Sequence, residues 1–383
     1  MVSRRRGQVL RVTAATEGPL LHLLTPTEWR GALAAGAVTP PSLQEAGFVH
    51  LSSPAQVHLP AGRLFAGRRD VVLLVVDPAR LTDPVRWEPG VPEDPASMRF
   101  PHLYGPLPTA AVVAVLPWRP GTVPVPPSPG DAVGRARAMD VSLRTRRAAR
   151  VVDVPGGVAV ADPAFPHSRD HNRLLVTGLP TADEVEARTA GLATELGWTT
   201  PAVTLLHPDA GPLATELSRR GWDVAATLLM ARWAPSPVPA GGRAEVVPQS
   251  DVHPLWESSW RAELEPGQPD LEEVVRQLVG REHRDDAVVR VVDVGVREDG
   301  AVVAAAQLRI DGATASLESV TTDPAVRRRG HGTALLDLAL ATAGAAGCDL
   351  VVLDAAAEDW PRHWYARHGF TAAGRTCDAV RPT

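Results

Sequence analysis

The sequence predicts an α/β (α+β) protein built from mixed sheets flanked by helices. Three observations lead there. Residues 243–383 alternate strand-like and helix-like segments, residues 138–235 repeat the later part of that order, and two proline-rich runs divide the chain. With 383 residues the chain is too long for one ordinary core, so two or three domains are expected. The runs are Pro117 to Ala136, with Pro-Val-Pro-Pro-Ser-Pro-Gly at 124–130, and Ala234 to Arg243. Proline removes a backbone donor and fixes φ, which suits linkers better than element interiors. The expected units are residues 1–118, 138–235 and 243–383.

In the first unit, Leu21 to Thr25 reads as a strand and Thr27 to Ala35 as a helix. Gly47 to Ser53 is a second strand, the β-branched run Val71 to Val76 a third, and Ala110 to Leu116 the last. In the middle unit, Arg173 to Val176 is a strand and Thr181 to Leu196 a helix. Ala202 to Leu206 is again a strand, Gly211 to Arg220 a helix and Asp223 to Trp233 a strand. In the last unit Asp270 to Val279 is an amphipathic helix. Val289 to Val296 and Ala301 to Ile310 are strands joined at Glu298-Asp299-Gly300, and Ala313 to Val320 is a third. Leu335, Leu336, Leu338 and Leu340 make Gly332 to Ala345 a mostly buried helix. A strand at Leu350 to Leu353, a helix at Pro361 to His368 and a strand from Phe370 close the chain. Leu217-Ser218-Arg219-Arg220-Gly221-Trp222 matches Tyr365-Ala366-Arg367-His368-Gly369-Phe370 in position, which suggests a duplication.

Hydrophobic residues make up 44% and charged residues 22%, the balance of a soluble globular protein. A net charge of −5 gives no reason to expect nucleic acid or an anionic membrane as partner. Only Cys348 and Cys377 are present, outside any C-x-x-C pattern, which fits a reducing cytosol and excludes a thiolate zinc site. No metal is expected. The basic start Met1 to Arg6 is not followed by an apolar core of useful length, and no stretch approaches the roughly 20 apolar residues of a membrane span. A cytoplasmic protein is expected.

The chemistry concentrates after residue 313. The strand ending at Val320-Thr321-Thr322 runs through Asp323-Pro324 into Arg327-Arg328-Arg329-Gly330-His331-Gly332-Thr333 and then the apolar helix. A glycine-containing turn at a helix start lets unpaired N–H groups approach a pyrophosphate, and the arginines add charge. Ala313, Ala315 and Leu317 alternate with Thr314, Ser316 and Glu318, but Val320 is out of phase, as a β-bulge would make it.

On Arg327-x-x-Gly330-x-Gly332 in this context, residues 243–383 resemble the GNAT superfamily of N-acetyltransferases, whose loop reads [Q/R]-x-x-G-x-[G/A]. The resemblance implies acetyl-CoA as donor and direct attack of an amine on the thioester. It assigns residues 327–333 to the CoA phosphates and the backbone of Val320 and Thr322 to the acyl-pantetheine arm. Tyr365, in a segment similar to the family's Y-x-x-x-G-F, becomes the general acid for the departing thiolate. Glu318 becomes the general base, with Asp354, Glu358 and Asp359 behind it. Many members carry an asparagine in that later stretch; here the only one in the chain is Asn172. The acceptor is then an amine of a small molecule or peptide. Trp256, Trp260 and Trp360 are either core or the lining of its pocket. The middle unit has Leu179-Pro180-Thr181-Ala182 where the loop should be, and reads as a degenerate half that could wall the acceptor site. His167, His171 and Asn172 there read as a solvent-facing loop.

Residues 19–118 carry Gly47-Phe48-Val49-His50-Leu51-Ser52 and His102-Leu103-Tyr104-Gly105-Pro106-Leu107. They resemble a small bacterial domain family of unknown function whose fold is similar to that of ADP-ribosyltransferases. That resemblance implies NAD, with His22 and His50 at the ribose and nicotinamide and His102 or Tyr104 in the same cleft. From the residues alone, His22, His50, Ser52, His102 and Tyr104 are polar groups planted in apolar strands, so a convergent pocket and a satisfied network both remain open. Two alternatives to acetyl transfer follow: a second, NAD-using activity, or a non-catalytic acyl-CoA-binding regulator.

Overall fold

The computed structural model describes residues 18–90, 98–234 and 242–382. The N-terminal module has an antiparallel sheet of Leu20–Leu24, Val72–Val76 and Val112–Pro117, and a second of Val49–His50, Arg99–Leu103 and Val85–Pro89. Helix Pro26–Ala35 packs into the core that both sheets share. Thr25 Oγ1 accepts from the Glu28 N–H while Glu28 Oε2 accepts from the Thr25 N–H, satisfying donors that a helix start leaves unpaired. Trp29, Leu33, Leu74 and Leu103 fill the core.

Everything after residue 149 joins one sheet of eleven strands. From one edge the order is Ala244–Val246, Arg290–Glu298, Ala301–Asp311, Thr314–Thr322, Leu350–Ala356, Asp223–Trp233, Thr371–Val380, Ala202–Leu205, Arg173–Val176, Gly157–Ala161 and Arg150–Val154. The two halves have the same internal plan. In each, three consecutive strands lead to a helix, a parallel strand, a short helix and a final antiparallel strand, and the second half adds the edge strand Ala244–Val246 and three helices before them. The final strands are exchanged. Asp223–Trp233 of the first half pairs with Leu350–Ala356 of the second, and Thr371–Val380 of the second pairs with Ala202–Leu205 of the first. The exchanged strands also pair with each other. The expected repeat is therefore visible as topology, and the two halves form one continuous sheet.

Most elements match their sequence-based expectation to within a few residues. Differences arise where apolar periodicity is weak. Helix Ala132–Arg147 begins inside the first proline-rich run, capped by Asp131 accepting from the Gly134 N–H. It contains five arginines, counting through Arg147, and no apolar stripe. It forms because three of those arginines, Arg135, Arg146 and Arg147, reach carboxylates under the sheet. The second run lies mostly outside the described residues. Strands Arg150–Val154 and Gly157–Ala161 and helix Gln249–Glu263 are further elements of the fold. His171 and Asn172, expected to face solvent, are buried. Asn172 accepts from the Asp162 N–H and donates to the Phe165 and Ser168 carbonyls, and His171 Nδ1 lies 3.1 Å from Ser168 Oγ. No helix among the described residues is long and apolar enough to cross a membrane.

Candidate functional site

Strand Thr314–Thr322 is where the sheet opens. Gln307 pairs with Glu318, whereas Ala305 pairs with Thr321, so two residues of this strand, Ser319 and Val320, oppose the single Ala306. Ser319 takes φ 52°, the left-handed conformation that an extra residue demands here. The expected bulge is present, and it returns Val320 to the core face beside Leu317. On its other side this strand pairs with Leu350–Ala356 only from Thr314 to Ser316, after which the two strands part.

One face of this opening meets the start of helix His331–Ala345. Gly330 is its N-cap at φ 83°, with no side chain capping the first N–H groups and no acid in the first turn. The helix start therefore keeps its donors and its dipole for an anion. A Cβ on Gly332 would sit 3.4 Å from the Trp364 ring, so a larger side chain there has little room. Arg327 and Arg328 are exposed, and Arg328 has φ 67°. Arg329 is paired with Glu298 at 2.9 Å. His331 is buried with Nε2 3.0 Å from Glu298 Oε1, so its ring packs beneath the loop and only its backbone belongs to the helix start. Glu298 is thus a loop-organising residue that sequence reasoning missed; its place in a turn between two strands hid it.

The matching position in the first half is closed. Helix Ala182–Leu196 starts with Thr181 and Glu184 bonded to each other's backbone, and Asp183 and Glu184 lie in its first turn. Its donors are used and its charge repels phosphate. Strands Arg173–Val176 and Ala202–Leu205 stay paired through Val176 and Leu205. Arg173 Nη1 ties Thr204 Oγ1 and Asp378 Oδ1 together at 2.5 and 2.6 Å.

The other face of the opening is a cleft of about 660 Å³ walled by both halves. Glu318, Ser319 and Asp354 line it from the second half, Thr204 and Thr227 from the first, and Arg144 from helix Ala132–Arg147. Trp260 lines it too, while Trp256 is core and Trp360 is exposed. Glu318 is half-buried, and Asp354 is exposed on the cleft wall. Burial in the cleft, with the Glu318 charge beside it, pushes the Asp354 carboxyl up to about 7. Tyr365 is buried on helix Pro361–Arg367 against Phe370. Burial, and then Glu318, push its phenol up to about 12, so it holds its proton at neutral pH. Glu358 and Asp359 do not line the cleft. Most cleft arginines have carboxylate partners: Arg147 with Asp285, Arg309 with Glu282, Arg173 with Asp378. Arg137 has none among the described residues, and its Nε is buried without a hydrogen bond. Cys348 and Cys377 are buried, and burial pushes Cys348 up to about 12, so neither thiol is poised as a nucleophile.

In the N-terminal module, His22, His50 and Ser52 line a second cavity. His102 and Tyr104 do not line it. His102 stacks on Phe48 at 4.0 Å between centroids, and Tyr104 donates to Glu88 Oε2 at 2.7 Å. His50 also meets His102 edge-on at 5.0 Å between centroids, so the cavity residues His22, His50 and Ser52 adjoin a second group, His102 and Tyr104, organised by Glu88, another residue the sequence did not single out. Among the described residues no group of three or more His, Cys, Asp or Glu side chains could hold a metal ion.

Comparison with known proteins follows the same division. Residues 251–370 match the acetyltransferase (GNAT) family, and residues 23–115 match a family described as protein of unknown function (DUF952). No curated protein matches the chain. Among solved structures, a GCN5-related N-acetyltransferase from Kribbella flavida is 18% identical, over 66% of this chain and 96% of that one, with a TM-score of 0.45. A tandem GNAT protein from the clavulanic acid biosynthesis pathway is 19% identical, over 64% of this chain and 88% of that one, with a TM-score of 0.40. A protein from Caulobacter crescentus is 29% identical, over 28% of this chain and 93% of that one, with a TM-score of 0.24. The open helix start, the bulged strand and the family match coincide on the same residues: the C-terminal part of this chain is a GNAT acetyltransferase domain, preceded by a DUF952 domain.

Proposed function

We propose that this protein moves an acetyl group from acetyl-CoA to an amine of a small molecule or peptide. The observation that carries the proposal is the two-sided opening between strands Thr314–Thr322 and Leu350–Ala356. An uncapped helix start lies on one face, and a cleft with the carboxylates Glu318 and Asp354 lies on the other. The first N–H groups of helix His331–Ala345, with Arg327 and Arg328, would hold the pyrophosphate; backbone groups of Val320 and Thr322 freed by the bulge would hold the pantetheine arm.

Acetyl-CoA supplies a thioester at the opening. A protonated amine entering the cleft gives a proton to Glu318 or Asp354, and its nitrogen attacks the thioester carbon. The C–S bond would then break with Tyr365 protonating the thiolate, and the second proton of the attacking nitrogen would pass to the tyrosinate, leaving a neutral amide. A carboxyl titrating near 7 suits proton removal at neutral pH better than one near 4. Buried thiols at Cys348 and Cys377 fit a reducing compartment, which supports a cytoplasmic protein. No observation favours the regulatory reading over catalysis. NAD use would require the N-terminal cavity to meet a pyrophosphate, and among the described residues its lining has no arginine.

Calorimetric titration with acetyl-CoA tests the proposal, using the wild type and a Gly330→Asp, Gly332→Asp variant. Binding by the wild type and its loss in the variant are expected, followed by acetylation in an amine screen. A wild type that binds no acetyl-CoA at micromolar concentrations would overturn it.

A further inference from the structure

The cavity of the DUF952 module has a volume of about 690 Å³, in the range of small-molecule sites. It lies between strand Leu20–Leu24, helix Pro26–Ala35 and helix His58–Leu64. Leu24, Ala32, Val38, Leu64 and Phe65 supply apolar walls. Among the described residues no arginine lines it, and the one acid there is Glu28, whose Oε2 accepts from the Thr25 N–H and hydroxyl at 2.7 Å each. Among the described residues the cavity offers a ligand no cationic side chain.

Its polar groups come from a break in strand pairing. Leu21 and Ser52 exchange both backbone bonds at 2.8 Å, but this is an isolated bridge. In a continued antiparallel ladder the next bond would run from the Leu23 N–H to the His50 carbonyl. His22 Nδ1 takes that carbonyl instead, at 2.7 Å. A carbonyl only accepts, so Nδ1 carries the hydrogen. Burial lowers the His22 pKa, which keeps the ring neutral and leaves Nε2 as a lone-pair acceptor. Burial, and then His102, lower that of His50 as well. Nε2 of His22 and the Ser52 hydroxyl have no hydrogen-bond partner among the described residues, and both residues line the cavity.

We infer that this cavity is a binding site for an uncharged, largely apolar small molecule that carries a hydroxyl or N–H, donated to His22 Nε2, with the Ser52 hydroxyl as second polar contact. A dinucleotide is the wrong ligand here, because its pyrophosphate would be desolvated with no counter-charge. This inference stands apart from the acetyltransferase site, whose loop and cleft share no residue with the cavity.

Ligand-observed NMR on the full chain tests it with three probes: 1-naphthol, 1-naphthoate and NAD. Gly31 sits mid-helix on the cavity wall, and a Cβ there meets no atom within 4 Å, so Gly31→Phe fills the space without disturbing the core. His22→Phe removes the acceptor at similar volume. We expect 1-naphthol to bind the wild type, to be lost in Gly31→Phe and to weaken about tenfold in His22→Phe. The carboxylate probe should bind at least about tenfold more weakly than 1-naphthol. No binding of 1-naphthol, equal binding to Gly31→Phe, equal binding of 1-naphthoate, or NAD binding abolished by Gly31→Phe would each overturn the inference. If His22→Phe does not fold, the probe series on Gly31→Phe still decides.

Discussion

Trp29 Nε1 donates to Asp311 Oδ1 at 2.7 Å, joining the first helix of the DUF952 module to the end of strand Ala301–Asp311 in the acetyltransferase domain. Arg146, from the helix that precedes the first half of the large sheet, donates to Oδ2 of the same carboxylate at 2.5 Å. Arg146 and Asp311 are both 2% exposed, so three parts of the chain meet on one desolvated charge. Arg135 repeats the device nearby: fully buried, it donates to Asp349 Oδ1 at 2.6 Å and to the Ala313 carbonyl at 3.0 Å. The modules are thus packed as one body through buried ion pairs.

Removing one partner of such a pair strands the other. Asp311→Ala should lower stability by about 3–5 kcal/mol, since Arg146 stays buried without its counter-charge. Trp29→Phe leaves that pair intact and should cost about 1–3 kcal/mol. Urea unfolding measures both. An unchanged midpoint for Asp311→Ala would show that the junction contributes nothing.

The strand exchange predicts that neither half of the large sheet folds alone. In an isolated 243–383 fragment, Leu350–Ala356 and Thr371–Val380 lose the strand that lies between them. Such a fragment should show no cooperative thermal transition, and co-expression with residues 118–242 should restore one. A fragment that unfolds cooperatively by itself would count against the exchanged topology.

Asp354 sets a pH dependence with a definite sign. Its folded pKa of about 7 lies above the ordinary 3.8, so the folded state holds the proton more tightly than the unfolded chain. Its contribution to stability is largest below the unfolded value and is lost as pH rises through about 7. As a base it must be deprotonated, so kcat/KM should rise through the same window. Glu318→Gln removes the neighbouring charge and should move that limb to lower pH, while Asp354→Asn should abolish it. A limb unmoved by either change would take Asp354 out of the chemistry.

Tyr365→Phe keeps the buried ring and deletes the proton. We expect kcat to fall by about 10²-fold with acetyl-CoA affinity unchanged by calorimetry. Equal loss of affinity would mean that the ring, not the hydroxyl, matters.

Arg137 lines the cleft with a buried, unpaired Nε and no carboxylate partner among the described residues. An acceptor bearing a carboxylate or phosphate besides its amine would supply one. Arg137→Gln should then raise KM about tenfold for such amines and leave it unchanged for neutral analogues of the same size. Parallel changes for both classes would assign Arg137 a structural role only.

The legible part of this protein is the part written locally. Alternating apolar residues placed the strands around the site, and Gly330 and Gly332 before an apolar helix marked an uncapped helix start. The lost phase at Val320 marked the bulge. Each of these signals lies within a few residues of chain, because φ, side-chain period and capping are local properties. Helix Ala132–Arg147 was obscured for the opposite reason: its arginines are stabilised by Asp170, Asp285, Asp311 and Asp349, which approach only after folding.

Tertiary structure alone decided three further matters. It exchanged the final strands of the two halves, a choice that local periodicity permits in either form, because both strands bury the same faces whichever neighbour they take. It set Asp354 in the cleft beside Glu318 of the adjacent strand and so raised its pKa, through desolvation first and the neighbouring charge second. It also placed His22, His50 and Ser52 on a cavity that His102 and Tyr104 do not line, although all five are polar residues in apolar strands. Sequence by itself determined which segments are strands, helices and a helix-start loop. Which side chains share a space depended on long-range pairing, whose register no single segment encodes.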